Sequence, residues 1–165
     1  MTPAAPPSIL IDALNLAYWC GDPPSLRLSL ALLTRLLADG RHAQLMFDAS
    51  ARHRLGDEAQ LYVRLLEYPA QILEVPSGQP ADRAILRRAT ASGACVVSRD
   101  KYRDHRRRYR RLIDDPARLL GGVVENDRVQ LPGLGLDFML PPSTQEALQQ
   151  FEHLNESRQQ QPMSP

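Results

Sequence analysis

Five carboxylates stand where chain geometry can collect them. Ser8-Ile-Leu-Ile runs into Asp12, Ala43-Gln-Leu-Met-Phe47 into Asp48, and Ala94-Cys-Val-Val-Ser98 is followed two residues later by Asp100. Asp82 comes seven residues after a further apolar run, Gln71-Ile-Leu-Glu-Val75, and Asp104 follows Asp100 by one helical turn. Short apolar runs bounded in this way read as buried strands. The carboxyl ends of parallel strands share one edge, and crevices for ligands form there. Carboxylates gathered at such an edge repel one another, and a divalent cation relieves the repulsion. A donor set of oxygens without His or Cys selects a hard ion, Mg²⁺ or Mn²⁺. Each acid also has a local explanation, because Asp starts turns and caps helices. Asp82 after Pro80-Ala81 suits a helix start, and Asp48 can cap the turn Asp48-Ala-Ser50. Asp114 and Asp115, ahead of Pro116, read as a solvated helix end.

The second chemical feature is a block of positive charge. The net charge is only +1, yet residues 83–118 carry twelve Lys and Arg against four Asp. An excess of this kind suits a polyanion, usually nucleic acid; the alternative is a solvated basic face. Arg103, Arg107 and Arg111 recur at helical spacing with Arg106 and Arg110 beside them, which predicts a cationic ridge leading away from Asp104. Salt bridges to Asp114 and Asp115 are the competing use of these side chains. Tyr18 and Trp19 suit either stacking on an unpaired base or packing over the first helix. His42, His53, His105 and His153 are scattered, and His105 reads as a surface residue. Cys20 and Cys95 form no metal-ligand spacing, and Cys95 reads as a small core residue. Phosphate-cradling glycine loops, the dinucleotide fingerprint and the G-x-S-x-G elbow are all missing from the sequence.

These groups need a scaffold. With 165 residues, 43% hydrophobic and 24% charged, the chain suits one globular domain. No apolar run is long enough to span a membrane, and the Pro-rich start lacks a signal-peptide profile, so a cytoplasmic location is expected. Strands are predicted at 8–12, 43–47, 71–75 and 94–98. Helices are predicted from Ser25 to Ala38, from Asp57 to Tyr68 before Pro69, from Asp82 to Gly93, and from Tyr102 to Ile113. Residues 123–131 read as a hairpin around Asn126-Asp127. Alternation of strands and helices predicts an α/β fold, a three-layer α/β/α sandwich around a mostly parallel sheet. Residues 1–7 are expected as a flexible tail, 8–140 as the domain, and 141–165 as a polar helix, Thr144 to Glu156, with a frayed end from Pro162. That helix either caps the domain or serves as an interaction tail.

Several segments resemble one family. Ile9-Leu-Ile-Asp-Ala-Leu-Asn15 resembles the I-D-G-x-N strand end of the NYN/PIN-like ribonucleases of the Regnase type. Ala81-Asp-Arg-Ala-Ile85 is similar to their D-D-R-x-I, and Val97-Ser-Arg-Asp-Lys-Tyr-Arg-Asp104 to their V-S-N-D-x-Y-R-D. The likeness runs over about residues 8–135. Ala13, Leu14, Ala81 and Arg99 depart from the pattern, and Ala81 removes one of two adjacent acids. The resemblance implies a PIN-like fold and Mg²⁺-dependent endonucleolytic cleavage of single-stranded RNA, with Mn²⁺ as an alternative ion. It places catalytic and metal-binding roles on Asp12, Asp82, Asp100 and Asp104, and a polar orienting role on Asn15. Arg83, Lys101, Arg103, Arg106, Arg107, Arg110 and Arg111 are the expected RNA contacts. The competing reading is a PIN-like RNA-binding or adaptor module without strong catalysis, which Ala81 favours. A phosphatase or DNA nuclease on the same scaffold is a second rival. Homo-oligomerisation and a protein partner for residues 141–165 stay open.

Overall fold

The computed structural model describes residues 6–160. Pro6 and Pro7 are exposed and without regular structure; the rest of the expected N-terminal tail, and the end from Pro162, lie outside the described residues. Five parallel strands form the central sheet: β1 (Ile9–Asp12), β2 (Ala43–Phe47), β3 (Ile72–Glu74), β4 (Cys95–Val97) and β5 (Leu119–Leu120), in the order β3-β2-β1-β4-β5. The chain builds outward from β1 in one direction through β2 and β3, then returns to its other side for β4 and β5. The gap between the ends of β1 and β4 is therefore a topological switch point, where open α/β sheets bind ligands. In register, Ile9 faces Ala43 on one side and Cys95 on the other.

Strand alternation assigns the two faces. Ile9, Ile11, Leu45, Phe47 and Val97 pack into one core, beneath α1 (Ala13–Ala17) and α2 (Arg27–Ala38). Leu10, Met46 and Val96 face the other core, with Ile85, Leu86 and Ala89 of α5 (Ala81–Ser92) and Tyr109 and Leu112 of α6 (Arg106–Ile113). The period of two then sends Asp12, two residues after Leu10, toward the α5 side, and Ser98, two after Val96, to the same side. The predicted α/β/α sandwich with a parallel central sheet is observed.

Local differences from the expected elements have identifiable causes. The helix expected from Asp57 is split into α3 (Ala51–Arg54), a 3₁₀ turn at Gly56–Glu58 and α4 (Ala59–Leu65). It stops before Tyr68 because Pro69 disfavours helical torsions in the preceding residue. The helix expected from Tyr102 begins only at Arg106, after a 3₁₀ turn at Arg103–His105, because Tyr102 itself is left-handed at φ 49°. The hairpin is present as β6 (Val123–Glu125) and β7 (Arg128–Leu131), with Asn126 and Asp127 at φ 50° and 65°, as a type I′ turn requires. A further strand, β8 (Leu136–Met139), extends it into a three-stranded antiparallel sheet. Finally, α7 (Thr144–Gln160) outruns its expected end at Glu156 and lies against α2, burying Ala147, Leu148 and Phe151. Thr144 Oγ1 and Ser25 Oγ are 3.0 Å apart, and the Ser25 oxygen also accepts from the Arg27 N–H at the start of α2.

Candidate active site

Asp12 ends β1 with 7% of its surface exposed, and two hydroxyls hold it. Tyr102 donates to Oδ2 at 2.7 Å and Ser98 donates to the same oxygen at 3.1 Å. Burial drives its carboxyl upward, the Tyr102 hydrogen bond opposes this, and the Asp82 charge adds to it; the result is a pKa of about 6. The carboxyl at this sheet edge thus holds its proton to a higher pH than an ordinary carboxylate, despite two hydroxyl donors.

The neighbouring acids are arranged around the exit of β4 and the entry of α5. Ser98 Oγ accepts from the Asp100 N–H at 3.1 Å, and Asp100 Oδ1 accepts from the Tyr102 N–H at 2.7 Å. This tight turn explains the left-handed Tyr102: the backbone reverses so that the phenol can reach back to Asp12. Asp82 lies in the first turn of α5, half-buried, after Pro80 in extended conformation. Its carboxyl is raised by burial and then by the charge of Asp100, with smaller contributions from Asp48 and Asp104, while His105 lowers it. Asp82, Asp100 and Asp104 line a cleft of about 420 Å³ together with Lys101, Arg103 and His105. His105, read from the sequence as a surface residue, is half-buried at this cleft.

The donor chemistry suits a hard cation. All the groups are carboxylates, they sit at one edge, and Asp12 and Asp82 are each destabilised by a neighbouring negative charge. Among the described residues, however, no three acidic, His or Cys side chains stand close enough to ligate one ion. Asp48 takes its local role instead: Oδ1 accepts from the Ser50 N–H at 2.7 Å and from the Ser50 hydroxyl.

Asn15 is a tie between elements. Its Oδ1 accepts from the Trp19 indole N–H at 2.8 Å and from the Arg99 N–H at 2.9 Å, joining α1 to the end of β4. Trp19 packs, with 8% exposure, and the Arg99 guanidinium covers its ring at 4.2 Å while Nε donates to the Gly122 carbonyl at 3.1 Å. Tyr18 is the exposed member of the pair at 39%. Sequence reasoning gave Ser98 and Tyr102 no part in the site, and weighed His105 beside Asp104 as an RNA contact but preferred a surface role. The serine and tyrosine were present in the Val97–Asp104 motif, but their shared partner 86 and 90 residues upstream becomes visible only once β1 and β4 pair.

The cationic ridge differs from its expected form. Arg103 belongs to the 3₁₀ turn, and Tyr109 leaves helical torsions at φ −116°, ψ 28°, so the spacing of Arg103, Arg107 and Arg111 does not trace one straight face. Arg106 and Arg110 share Asp114, Arg106 through two bonds of 3.0 and 3.1 Å and Arg110 through one of 3.3 Å. Lys101 and Arg103 line the carboxylate cleft, Arg107 and Arg111 line a different depression, and exposed Arg83 lines a third beside Gly78 and Arg87.

Two solved structures of nuclear protein-only RNase P 2 from Arabidopsis thaliana share this fold. Each superposes with a TM-score of 0.58, one at 14% identity over 77% of this chain and the other at 15% over 82%. The chain spans 30% of the length of either. No curated protein matches the sequence. Among the described residues no helix is long and apolar enough to cross a membrane. The Zc3h12a-like ribonuclease NYN domain matches residues 7–135, a span containing every carboxylate of the cleft, and the chain belongs to that family of ribonuclease domains.

Proposed function

We propose that this protein is a divalent-metal-dependent endoribonuclease acting on single-stranded RNA. The observation that supports this reading is a cleft lined by Asp82, Asp100 and Asp104 beside the end of β1, where Asp12 is buried and its carboxyl, facing the Asp82 charge, is raised to about 6. Asp12 and Asp100 would hold Mg²⁺ or Mn²⁺, with Asp82 and Asp104 either completing the set or serving a second ion. When bound, such an ion would supply a water of lowered pKa and would polarise the phosphoryl oxygen. The remaining steps belong to the chain. Tyr102 and Ser98 hold the Asp12 carboxylate by its Oδ2, and the Asn15 N–H also donates to the carboxylate, which limits its orientation. Asp82 or Asp104 accepts a proton from, or orients, the attacking water. Asn15 acts one step removed, by holding Arg99 and the β4 exit in register with α1. Lys101 and Arg103, exposed at the cleft, bind phosphates of the strand on either side of the scissile bond.

The test is cleavage of an unstructured RNA by the native chain and by Asp12→Asn, each with Mg²⁺ and with chelator. The expected result is cleavage by the native chain with Mg²⁺ alone, with internal cuts. Equal cleavage by Asp12→Asn, or cleavage that survives the chelator, contradicts the reading. A second reading, an RNA-binding module without turnover, draws on Ala81: this side chain packs into the α5 core at the head of the cleft, where the family often has an acid. Stoichiometric RNA binding without products in either Mg²⁺ or Mn²⁺ selects it.

A further inference from the structure

Alongside the C-terminal half of α5, the flank of α6 encloses a pocket of about 530 Å³. Thr90 lines it from α5, and Arg107, Arg108, Arg110 and Arg111 line it from α6. It shares no lining residue with the carboxylate cleft. Thr90 lies eight residues along α5 from Asp82, about 12 Å at the helical rise.

The charge of this pocket is largely unanswered. Arg110 shares Asp114 with Arg106, whereas Arg107, Arg108 and Arg111 form no ion pair among the described residues. Arg118, also at the pocket, is anchored: its Nε donates to the Ala94 carbonyl at 3.0 Å and one Nη to the Ala89 carbonyl at 2.9 Å. Its remaining N–H groups are held in a fixed position. Tyr109 provides an independent observation. It lines the same pocket with 7% exposure, and its hydroxyl is buried without a hydrogen-bond partner among the described residues. Buried hydroxyls ordinarily find one. Guanidinium groups without counter-charge, one of them immobilised, match the needs of a phosphate, whose oxygens accept several donors at once, and the buried Tyr109 hydroxyl beside them leaves one more donor unanswered beneath the pocket.

We propose that the α5–α6 pocket binds a phosphate group at a site separate from the carboxylate cleft. The phosphate comes either from an RNA strand that continues over α6 from the cleft, which rests on the ribonuclease reading, or from a free nucleotide, which does not. Titration of the full chain with inorganic pyrophosphate in chelator tests the pocket, because no metal then bridges the anion to the cleft. The native protein and Asp12→Asn are expected to show saturable one-site binding, weakened about tenfold in Arg108→Ala/Arg111→Ala, whose folding is checked by its thermal melt. Competition with a short fluorescent oligouridylate separates the sources. If RNA is the occupant, pyrophosphate displaces it and the double variant flattens the salt dependence by about 1.4 in slope, at roughly 0.7 per contact. If a free nucleotide is the occupant, both ligands bind together and the slope is unchanged. Pyrophosphate binding that is unsaturable, or equal in the double variant, overturns the pocket. Missing RNA cleavage with pyrophosphate binding intact overturns the nuclease reading and leaves the pocket standing.

Discussion

Replacing Asp12 by Asn should stabilise the metal-free protein above pH 6, because the fold holds a carboxylate where a neutral group is preferred. Asp12 titrates at about 6 instead of 3.8, raised first by burial and further by Asp82, against the pull of Tyr102 and Ser98. A shift of this size corresponds to about 3 kcal/mol. Below pH 3.8 the group is neutral in both folded and unfolded chains, and nothing is lost. As pH rises from there toward 6, the unfolded chain releases its proton while the folded chain keeps it, so stability falls; above 6 the full penalty is present. Asn retains an oxygen to accept the Tyr102 and Ser98 hydroxyls and carries no charge. In chelator at pH 7 to 8, Asp12→Asn should therefore gain up to about 3 kcal/mol, a Tm rise of about 6–12 °C for a chain of this size. The gain should shrink toward zero by about pH 3.5. Thermal and urea melts of both proteins across this range read the difference directly. A destabilised variant, or a difference that does not vary with pH, refutes the reasoning.

Three further outcomes follow from single contacts. Tyr102→Phe removes a donor 2.7 Å from the buried carboxylate, worth about 1.5–3 kcal/mol. It should raise the Asp12 pKa by about one to two units in a carboxyl NMR titration of the metal-free protein; a value still near 6 counts against the contact. Arg99→Ala uncovers Trp19, the chain's single tryptophan. It should shift Trp emission to the red and cost about 0.5–2 kcal/mol; unchanged emission contradicts the stack. Phe151→Ala empties a fully buried site where α7 meets the core, and should cost about 3–5 kcal/mol in a urea melt. A loss below about 1 kcal/mol would mean that α7 is not part of the cooperative unit.

Much of the scaffold was legible because strand and turn signals are local. Ala43–Phe47 is a strand with the bounds its apolar run predicts, and Asn126-Asp127 makes the turn that two positive φ values demand. Asp12 and Asp100 were placed by the strands they follow, and Asp82 by the helix start that leads into α5. What stayed hidden depends on contacts distant in sequence. Nothing local marks Tyr102 as left-handed; its torsion follows from reaching Asp12 across the sheet. The arginine periodicity presumed a straight helix, which Tyr109 interrupts; of the two uses weighed for these side chains, Arg106 and Arg110 take the salt bridge to Asp114. Asp48 and Asp100 follow strands equally well in sequence. Each accepts from the N–H two residues on, Asp48 from Ser50 and Asp100 from Tyr102, and what divides them is position: Asp100 lines the cleft with Asp82, whereas Asp48 lines a separate depression. The five residues of α1 are too few to show a helical period, and two-residue β5 is too short to register as a strand.

The central claim is that the carboxylates at the β1/β4 switch point act as one cation site. Crystals of the native chain grown with Mn²⁺, measured at a wavelength that reveals its anomalous scattering, test this most directly. A peak is expected among Asp12, Asp82, Asp100 and Asp104, with oxygens at about 2.0–2.2 Å and no such peak in Asp12→Asn. Mn²⁺ bound only elsewhere, or a peak at this edge that survives Asp12→Asn unchanged, contradicts it.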